Sequence, residues 1–310
     1  MALDRASLLL LVLVTEAVVG YPHAVYRVVR HPVVWIGALI STFEVRMNRG
    51  SERMRRVAGC ALLIVLIAVS TIAGWVLERA GDAWPLGMIG VLLAGTTMLA
   101  QRSLYDHVAA VLRPLQSGRL EEARREVSRI VGRDTAALDA AGVSTAAIES
   151  VAESFCDGIV APAFWFLIGG LPGLFICKAI NTADSMVGHK DERHRAFGWA
   201  AARADDLVNL IPARIAGLLI CIAGLGGWRT MVRDAPLHAS PNGGWPEAAM
   251  AGVLARQLGG PVAYSGELAF RAHLGAGPRP DATSLRAALN VYWRACILMW
   301  LTVAGLAWLS

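Results

Sequence analysis

Charge is what this chain has least of. Asp, Glu, Lys and Arg make up 17 % of 310 residues against 55 % hydrophobic, and a mean hydropathy of +0.50 does not suit a water-soluble surface. The low charge and ten tryptophans exclude a disordered chain, and five scattered cysteines are too few for a disulfide framework. Several catalytic signatures are also missing. No GxxxxGKS/T offers a Walker-type phosphate cradle, no GxGxxG opens a helix after a strand, and there is no HExxH, His189 and His194 being five apart and off a common helix face. Cys60, Cys177, Cys221 and Cys296 lie in or beside apolar runs and read as small hydrophobes, so no metal-thiolate site is supported.

What the chain does have is apolar sequence of membrane-spanning length. Residues 57–77 run for twenty-one positions without a charge, enough at about 1.5 Å per residue to cross a hydrocarbon core of about 30 Å. Glu78, Arg79 and Asp82 are expected to form a polar turn, after which 83–100 is apolar again, so the pair reads as a helical hairpin with Trp75 and Trp84 in an interfacial belt. Upstream, residues 21–56 hold seven arginines (Arg27, Arg30, Arg46, Arg49, Arg53, Arg55, Arg56) against Glu44 and Glu52. That is a positive-inside pattern rather than a nucleic-acid footprint, and nucleic acid is not an expected partner. Residues 6–20 are apolar except for Thr15 and Glu16. A spanning helix is preferred there over a secretory signal, because Asp4 offsets Arg5 and Glu16 falls where a signal would be apolar. An intramembrane carboxylate is a candidate functional group, although one near a helix end also reaches headgroups.

Residues 158–177 are uncharged but interrupted by Pro162, Gly169, Gly170, Pro172 and Gly173, which predicts a broken or re-entrant element. The shorter apolar stretches 215–228 and 295–310 become spans by borrowing flanking residues, with the stems of Arg214 and Arg294 reaching outward. The expected fold is all-α: a polytopic membrane protein of about five or six transmembrane or re-entrant helices. It reads as a single integral membrane domain over 1–310, with polar helical segments at 101–157, 178–214 and 229–294. The side of the membrane taken by the middle segment depends on whether 158–177 crosses.

Four polar constellations stand out. Glu149, Glu153 and Asp157 are spaced by four, so one helix face carries three carboxylates. Either a hard cation such as Mg²⁺ relieves their repulsion, or the face is solvated and paired with arginines from elsewhere. In the stretch 181–214, Arg203, Asp205, Asp206 and Asn209 project from adjoining helix faces, suiting either metal-assisted phosphate binding or a salt-bridge network. Gly132–Thr135 (GRDT) ends one helix and offers Asp134 or Thr135 as the next cap, with Arg133 left over for a carboxylate or phosphate. The loop from Arg233, with Ser240 and Asn242, either receives an anion or makes turns before a helix near Pro246. His31, just before Pro32, is the one isolated histidine of note.

Seven stretches, in order, resemble one family: HPVVWIG at His31, VGRDT at Val131, ESVAES and DGIVAPAFWF from Glu149, GGLPG at Gly169, NTADSMVGHKDER at Asn181, FGWAAARADDLVNLIPAR at Phe197 and SPNGGWPEAAMAG at Ser240. Together they look like the adenosylcobinamide-phosphate synthase (CobD/CbiB) family of cobalamin biosynthesis, over most of residues 20–290. The resemblance implies a multi-pass enzyme of the cell inner membrane. Such an enzyme joins (R)-1-amino-2-propanol, free or as its O-phosphate, to adenosylcobyric acid by ATP-dependent amide formation with Mg²⁺, giving adenosylcobinamide or its phosphate. Its implied partners are these substrates, the lipid bilayer, and a second copy of the chain or other corrinoid-pathway enzymes. On this reading Glu149, Glu153, Asp184, Asp205 and Asp206 are catalytic, and Asp157, Asp184 and Asp205 hold metal. Arg133, Lys190, Arg193 and Arg203 contact anions, while His31, Asp134, Asn181, Ser185, Asn209, Ser240, Asn242 and Glu247 bind substrate. One departure is that Gly20 is followed by Tyr21 and Pro22, where many members carry an acidic residue. The competing reading, a membrane transporter of a small anionic or corrinoid solute, predicts internal repeats that the sequence lacks.

Overall fold

Helices begin where the sequence supplies a cap. Asp4 accepts from the amides of Ala6 and Ser7 at the start of α1 (Arg5–Val19), and His31 accepts from Val33 ahead of Pro32 at the start of α2 (Pro32–Met47). Ser51 caps α3 (Glu52–Ala83), followed by α4 (Gly87–Thr96), α5 (Gln101–Gln116) and α6 (Leu120–Val127). Asp139 caps α7 (Ala140–Phe155) by accepting from the Gly142 amide; Asp134, the expected cap, is used elsewhere. A π-helical turn, Cys156–Val160, joins α7 to α8 (Ala161–Val187), and α9 (Trp199–Val208), α10 (Leu210–Ala223), α11 (Trp228–Asp234), α12 (Gly244–Leu254) and α13 (Ala282–Leu309) complete the helices. The computed structural model describes residues 4–20, 31–84, 86–264 and 266–309, so Tyr21, Pro22, Arg27 and Arg30 lie outside the described residues.

The chain forms two compact units. The first comprises residues 1–100, 161–209 and 303–310. Its core brings Ile40 of α2, Leu62 and Leu66 of α3, Ala179 and Ala183 of α8, and Phe197 together. Helices α3 and α8 approach so closely that a Cβ on Gly74 would overlap the backbone of Leu171 and Pro172, the small-residue packing that suits apolar helices. The break expected in 158–177 is present. Gly170 adopts φ 61°, ψ −150°, a region open to glycine, and Pro172 falls in the first turn of the half-helix beyond, where its missing amide costs nothing.

Both backbone ends at this break find side-chain partners. The Leu171 amide donates to Glu78 Oε1 at 2.7 Å, and Arg5 Nη1 donates to the Ile168 carbonyl at 2.7 Å. Glu78 therefore serves α8. The expected polar turn at Glu78, Arg79 and Asp82 is absent, because α3 stays helical to Ala83, and α4 spans only ten residues.

The second unit comprises residues 101–160 and 210–302. Helix α7 is buried along most of its length, Gly142 to Ala152 included, so Glu149 is withdrawn from the solvated face that spacing alone allowed, while Glu153 is exposed. The segment 229–294 departs from the all-α expectation. Strands β1 (Leu258–Gly259) and β4 (His273–Leu274) pair antiparallel, as do β2 (Val262–Tyr264) and β3 (Glu267–Ala269). Glycines 259, 260, 266, 275 and 277 all take positive φ, which ends helix and permits these tight reversals.

Among the described residues three helical stretches are long and apolar enough to cross a membrane: Glu52–Ala83, Ala140–Val187 and Ala282–Leu309, or up to four if the bent pair α9 and α10 counts as one. The count of five or six is not reached, since α1 and α4 are too short at 15 and 10 residues. Replacing Gly170 by Ala should destabilise the protein by about 1–3 kcal/mol, through φ strain and a Cβ placed against the Glu78 carboxylate. Glu78→Ala should cost about 1–3 kcal/mol by orphaning the Leu171 amide. Thermal unfolding in detergent measures both; an unchanged melting temperature for either would show that the break does not depend on that contact.

Candidate functional site

The polar motifs assemble into two clusters, one within each unit. In the second unit Glu149 is 2 % exposed and Glu247 is 0 % exposed. Glu149 pairs with Arg133 from the GRDT loop, accepts from the Gly259 amide at 2.7 Å, and receives Arg271 Nη1 at 3.3 Å. Arg271 reaches Glu247 through Nη2 at 3.3 Å and donates from the same nitrogen to His238 Nε2 at 2.8 Å. A pair of buried carboxylates is thus held by two guanidiniums, one contributed by the loop before α7 and one by the segment after β3. Burial and the facing Glu149 carboxylate push the Glu247 carboxyl well above the usual range, against the pull of Arg271. Burial, and then the Arg271 charge, hold the His238 imidazole below its ordinary value.

The network continues through the loop before α12. Ser240 donates its amide to His238 Nδ1 at 3.1 Å, and its hydroxyl accepts from the amides of Asn242 and Gly243 at 3.2 and 3.3 Å. Of the two readings of this loop, turn chemistry accounts for Ser240. Asn242 Oδ1 accepts from Arg214 Nη1 at 3.1 Å, and the Arg214 guanidinium lies 4.7 Å from the Trp245 ring. Of the three carboxylates spaced by four, Glu149 is buried and saturated by arginines, Glu153 is exposed, and Asp157 is partly buried in the π-helical turn. The repulsion on that face is relieved at Glu149 by arginines from elsewhere.

In the first unit α8 and α9 bring Asp184, Asp205 and Asp206 near enough to repel one another, with Asn181 in hydrogen-bond reach of Asp205. Asn209 Nδ2 donates to Asp205 Oδ2 at 3.0 Å, and Arg203 Nη2 lies 2.6 Å from Asp206 Oδ2. Two buried acceptors, Asp205 Oδ1 and Asn209 Oδ1, have no hydrogen-bond partner among the described residues. Among the described residues no group of three or more His, Cys, Asp or Glu converges to hold a metal by itself. A magnesium ion arriving with nucleotide needs less, because substrate phosphates and water supply most of its ligands; carboxylates with orphan oxygens fit that case.

The remaining expected residues have local partners. Arg193 pairs with Glu44 at 2.7 Å, Lys190 is exposed, and the Ser185 hydroxyl donates to the Asn181 carbonyl at 2.9 Å. Asp134 docks the β2–β3 hairpin, its amide donating to the Ala263 carbonyl at 2.8 Å and its Oδ2 accepting from Gly266 at 2.7 Å. His31 caps α2, and burial with the nearby Lys178 charge lowers its imidazole. Sequence reasoning missed Arg271 and His238, which lie in or beside irregular segments with no helical spacing to expose them. It also placed the Arg214 side chain outward, whereas Trp245 and Asn242 hold it.

A family model described as CobD/Cbib protein matches residues 9–292, nearly the whole chain. The chain belongs to the CobD/CbiB family. It is 46 % identical to the cobalamin biosynthesis protein CobD of Rhodobacter capsulatus over 98 % of both chains. The proteins of that name from Sinorhizobium fredii and Brucella anthropi are 43 % and 46 % identical, covering 96 % and 95 % of this chain and 95 % and 94 % of the relatives. No solved structure matches. The relatives' shared name places this family in cobalamin biosynthesis, with corrinoid-related substrates.

Two outcomes test the second-unit network. Arg271→Ala should destabilise the protein by about 3–5 kcal/mol, because it takes the arginine from buried Glu247 and leaves Glu149 with Arg133 alone, and adding Glu247→Gln should recover part of that loss; equal loss in single and double variants would refute the coupling. His238 has a folded-state pKa below that of the unfolded chain, so the unfolded state takes up the proton first and stability falls as pH drops below about 6.5. Comparing wild type with His238→Gln isolates this slope from the opposing one of Glu247. A difference that does not change between pH 7.5 and 5.5 would show that burial beside Arg271 does not lower the His238 imidazole.

Proposed function

We propose that this chain is the amide-forming ligase of its family, joining aminopropanol or its O-phosphate to adenosylcobyric acid with ATP, as a multi-pass protein of the cell inner membrane. The observation that carries the reading is likeness over nearly the whole chain to cobalamin biosynthesis proteins. The two polar clusters support it chemically. A carboxylate is a poor acyl donor. Transfer of the ATP γ-phosphoryl group to the corrinoid carboxylate makes an acyl phosphate, the amine attacks its carbonyl carbon, and inorganic phosphate leaves as the ammonium proton is lost.

Within the first unit Asp184 and Asp205 would hold the magnesium ion of the nucleotide, and bound there it would offset phosphate charge. Arg203 stands beside them to contact anionic oxygens, and Asn181 and Asn209 orient the carboxylates. Within the second unit both oxygens of Glu149 are engaged, by Arg133, Arg271 and the Gly259 amide. Glu153, exposed on the same helix face one turn on, is better placed to take the amine proton.

The test is purified full-length protein in detergent with adenosylcobyric acid, aminopropanol or its phosphate, ATP and Mg²⁺, read by product mass. Wild type should form the amide, and Asp184→Ala or Asp205→Ala should reduce the rate by at least about a hundredfold while the protein still inserts. Full activity in either variant removes that residue from the mechanism, and no product from wild type overturns the ligase reading.

A further inference from the structure

Arginine in an apolar helix is costly and is normally paired with a carboxylate or set at the membrane surface. Arg214 lies in α10, one half of the bent pair apolar enough to form a span, and no carboxylate of the described residues lies within ion-pair distance of it. Its partners are neutral. Nη1 donates to the Leu210 carbonyl at 2.6 Å and to Asn242 Oδ1 at 3.1 Å, and Cζ lies over the Trp245 ring, 4.7 Å from its centre. The stem is thus fixed by its own helix, and the plane by the first turn of α12 and the loop before it.

Both hydrogen bonds leave from Nη1. The opposite edge, Nε with Nη2, has no protein partner among the described residues. That edge is the one that presents two parallel N–H groups, the fork that matches two oxygens of a phosphate or carboxylate. A guanidinium seated over an aromatic ring and tied at Nη1, with its fork open and no carboxylate partner, is pre-organised for an oxyanion from outside the chain. The side chain is only partly buried, so the fork is reachable.

We infer that Arg214, oriented by Asn242 and Trp245, is the seat of a phosphate subsite that recognises the phosphate ester of the amine substrate. The identity of the phosphate's carrier rests on the proposed ligase function; the subsite itself does not. A phosphate on a lipid headgroup would offer the same oxygens, so the test separates the two sources.

Equilibrium binding of inorganic phosphate, aminopropanol O-phosphate, free aminopropanol and ATP is measured by titration calorimetry on the full-length protein in nanodiscs of purely zwitterionic lipid. The expected result is that wild type binds the phosphate ester about ten- to a hundredfold more tightly than the free amine, and that Arg214→Gln abolishes this preference. Arg214→Lys should retain only a fraction of it, having charge without the fork. Asn242→Asp, which supplies the missing counter-charge at unchanged size, should also abolish it. Melting temperatures within a few degrees of wild type confirm that the variants are folded, and with Asn242→Asp as a second route a poorly folded Arg214→Gln does not rescue the idea.

Unchanged ester preference in Arg214→Gln or Asn242→Asp overturns the proposal. So does loss of ATP binding alone in those variants, or ester binding that disappears when phosphatidylglycerol is added to the nanodisc, which would assign the fork to lipid. Amide formation with unaltered KM for the ester in Arg214→Gln would sink the subsite and leave the ligase reading standing. Arg214-dependent ester binding without amide formation would do the reverse.

Discussion

A carboxylate withdrawn from water must be compensated on the spot, and in this chain the compensation is made by residues far away in sequence. Glu149 and Glu247 are almost fully enclosed, at 2 % and 0 % exposure, on two helices that meet in the second unit. At that depth an unpaired negative charge costs several kcal/mol, so the fold of the unit is tied to the delivery of Arg133 and Arg271. The delivery uses irregular backbone. The GRDT loop carries Arg133 and, one residue later, pins the β2–β3 hairpin through Asp134, while the same hairpin leads directly into Arg271. The two guanidiniums therefore arrive together, and loss of either end of this arrangement would loosen the other. The strands are short because their task is to turn the chain twice, not to build a sheet.

The same constraint operates on the backbone in the first unit. Gly170 interrupts α8 inside a stretch without charge, and an open amide and an open carbonyl would be intolerable there. Glu78 and Arg5 answer them from two other helices. Polar residues near apolar helices here are thus explained first by the backbone they satisfy. This is why Glu78, which in isolation reads as the start of a loop, remains within a helix: its side chain is needed opposite Gly170, and one more turn of α3 holds it there.

How much of this was legible in the sequence varies with the kind of signal. The apolar run at 57–77 and the Gly–Pro cluster at 169–173 carry local information, and helix α3 and the break in α8 are where they were expected. The sheet hairpins were not legible, because two- and three-residue strands have too little periodicity to register against Gly and Pro. Within the polar motifs, residue type and spacing located Glu149 and the Arg203, Asp205, Asp206 and Asn209 group, the resemblance added Asp184 and Glu247, and neither pointed to Arg271. Helical spacing reports which residues share a face; it carries nothing about an arginine supplied from over a hundred residues away, as Arg271 is to Glu149. Ser240 shows the converse: a hydroxyl that could greet an anion is consumed by two amides of its own loop.

Set side by side, the clusters differ in what they leave unsatisfied, and that difference is chemical. Around Glu149 every oxygen is engaged, which makes a rigid support. In the first unit the orphan atoms are acceptors, Asp205 Oδ1 and Asn209 Oδ1, whose demand is for a cation or a donor. At Arg214 the atoms left unengaged by the described residues are donors, Nε and Nη2, whose demand is for an anion. The amide ligation we propose would use both kinds of seat, one for a metal-bearing polyphosphate and one for the charged group of the second substrate.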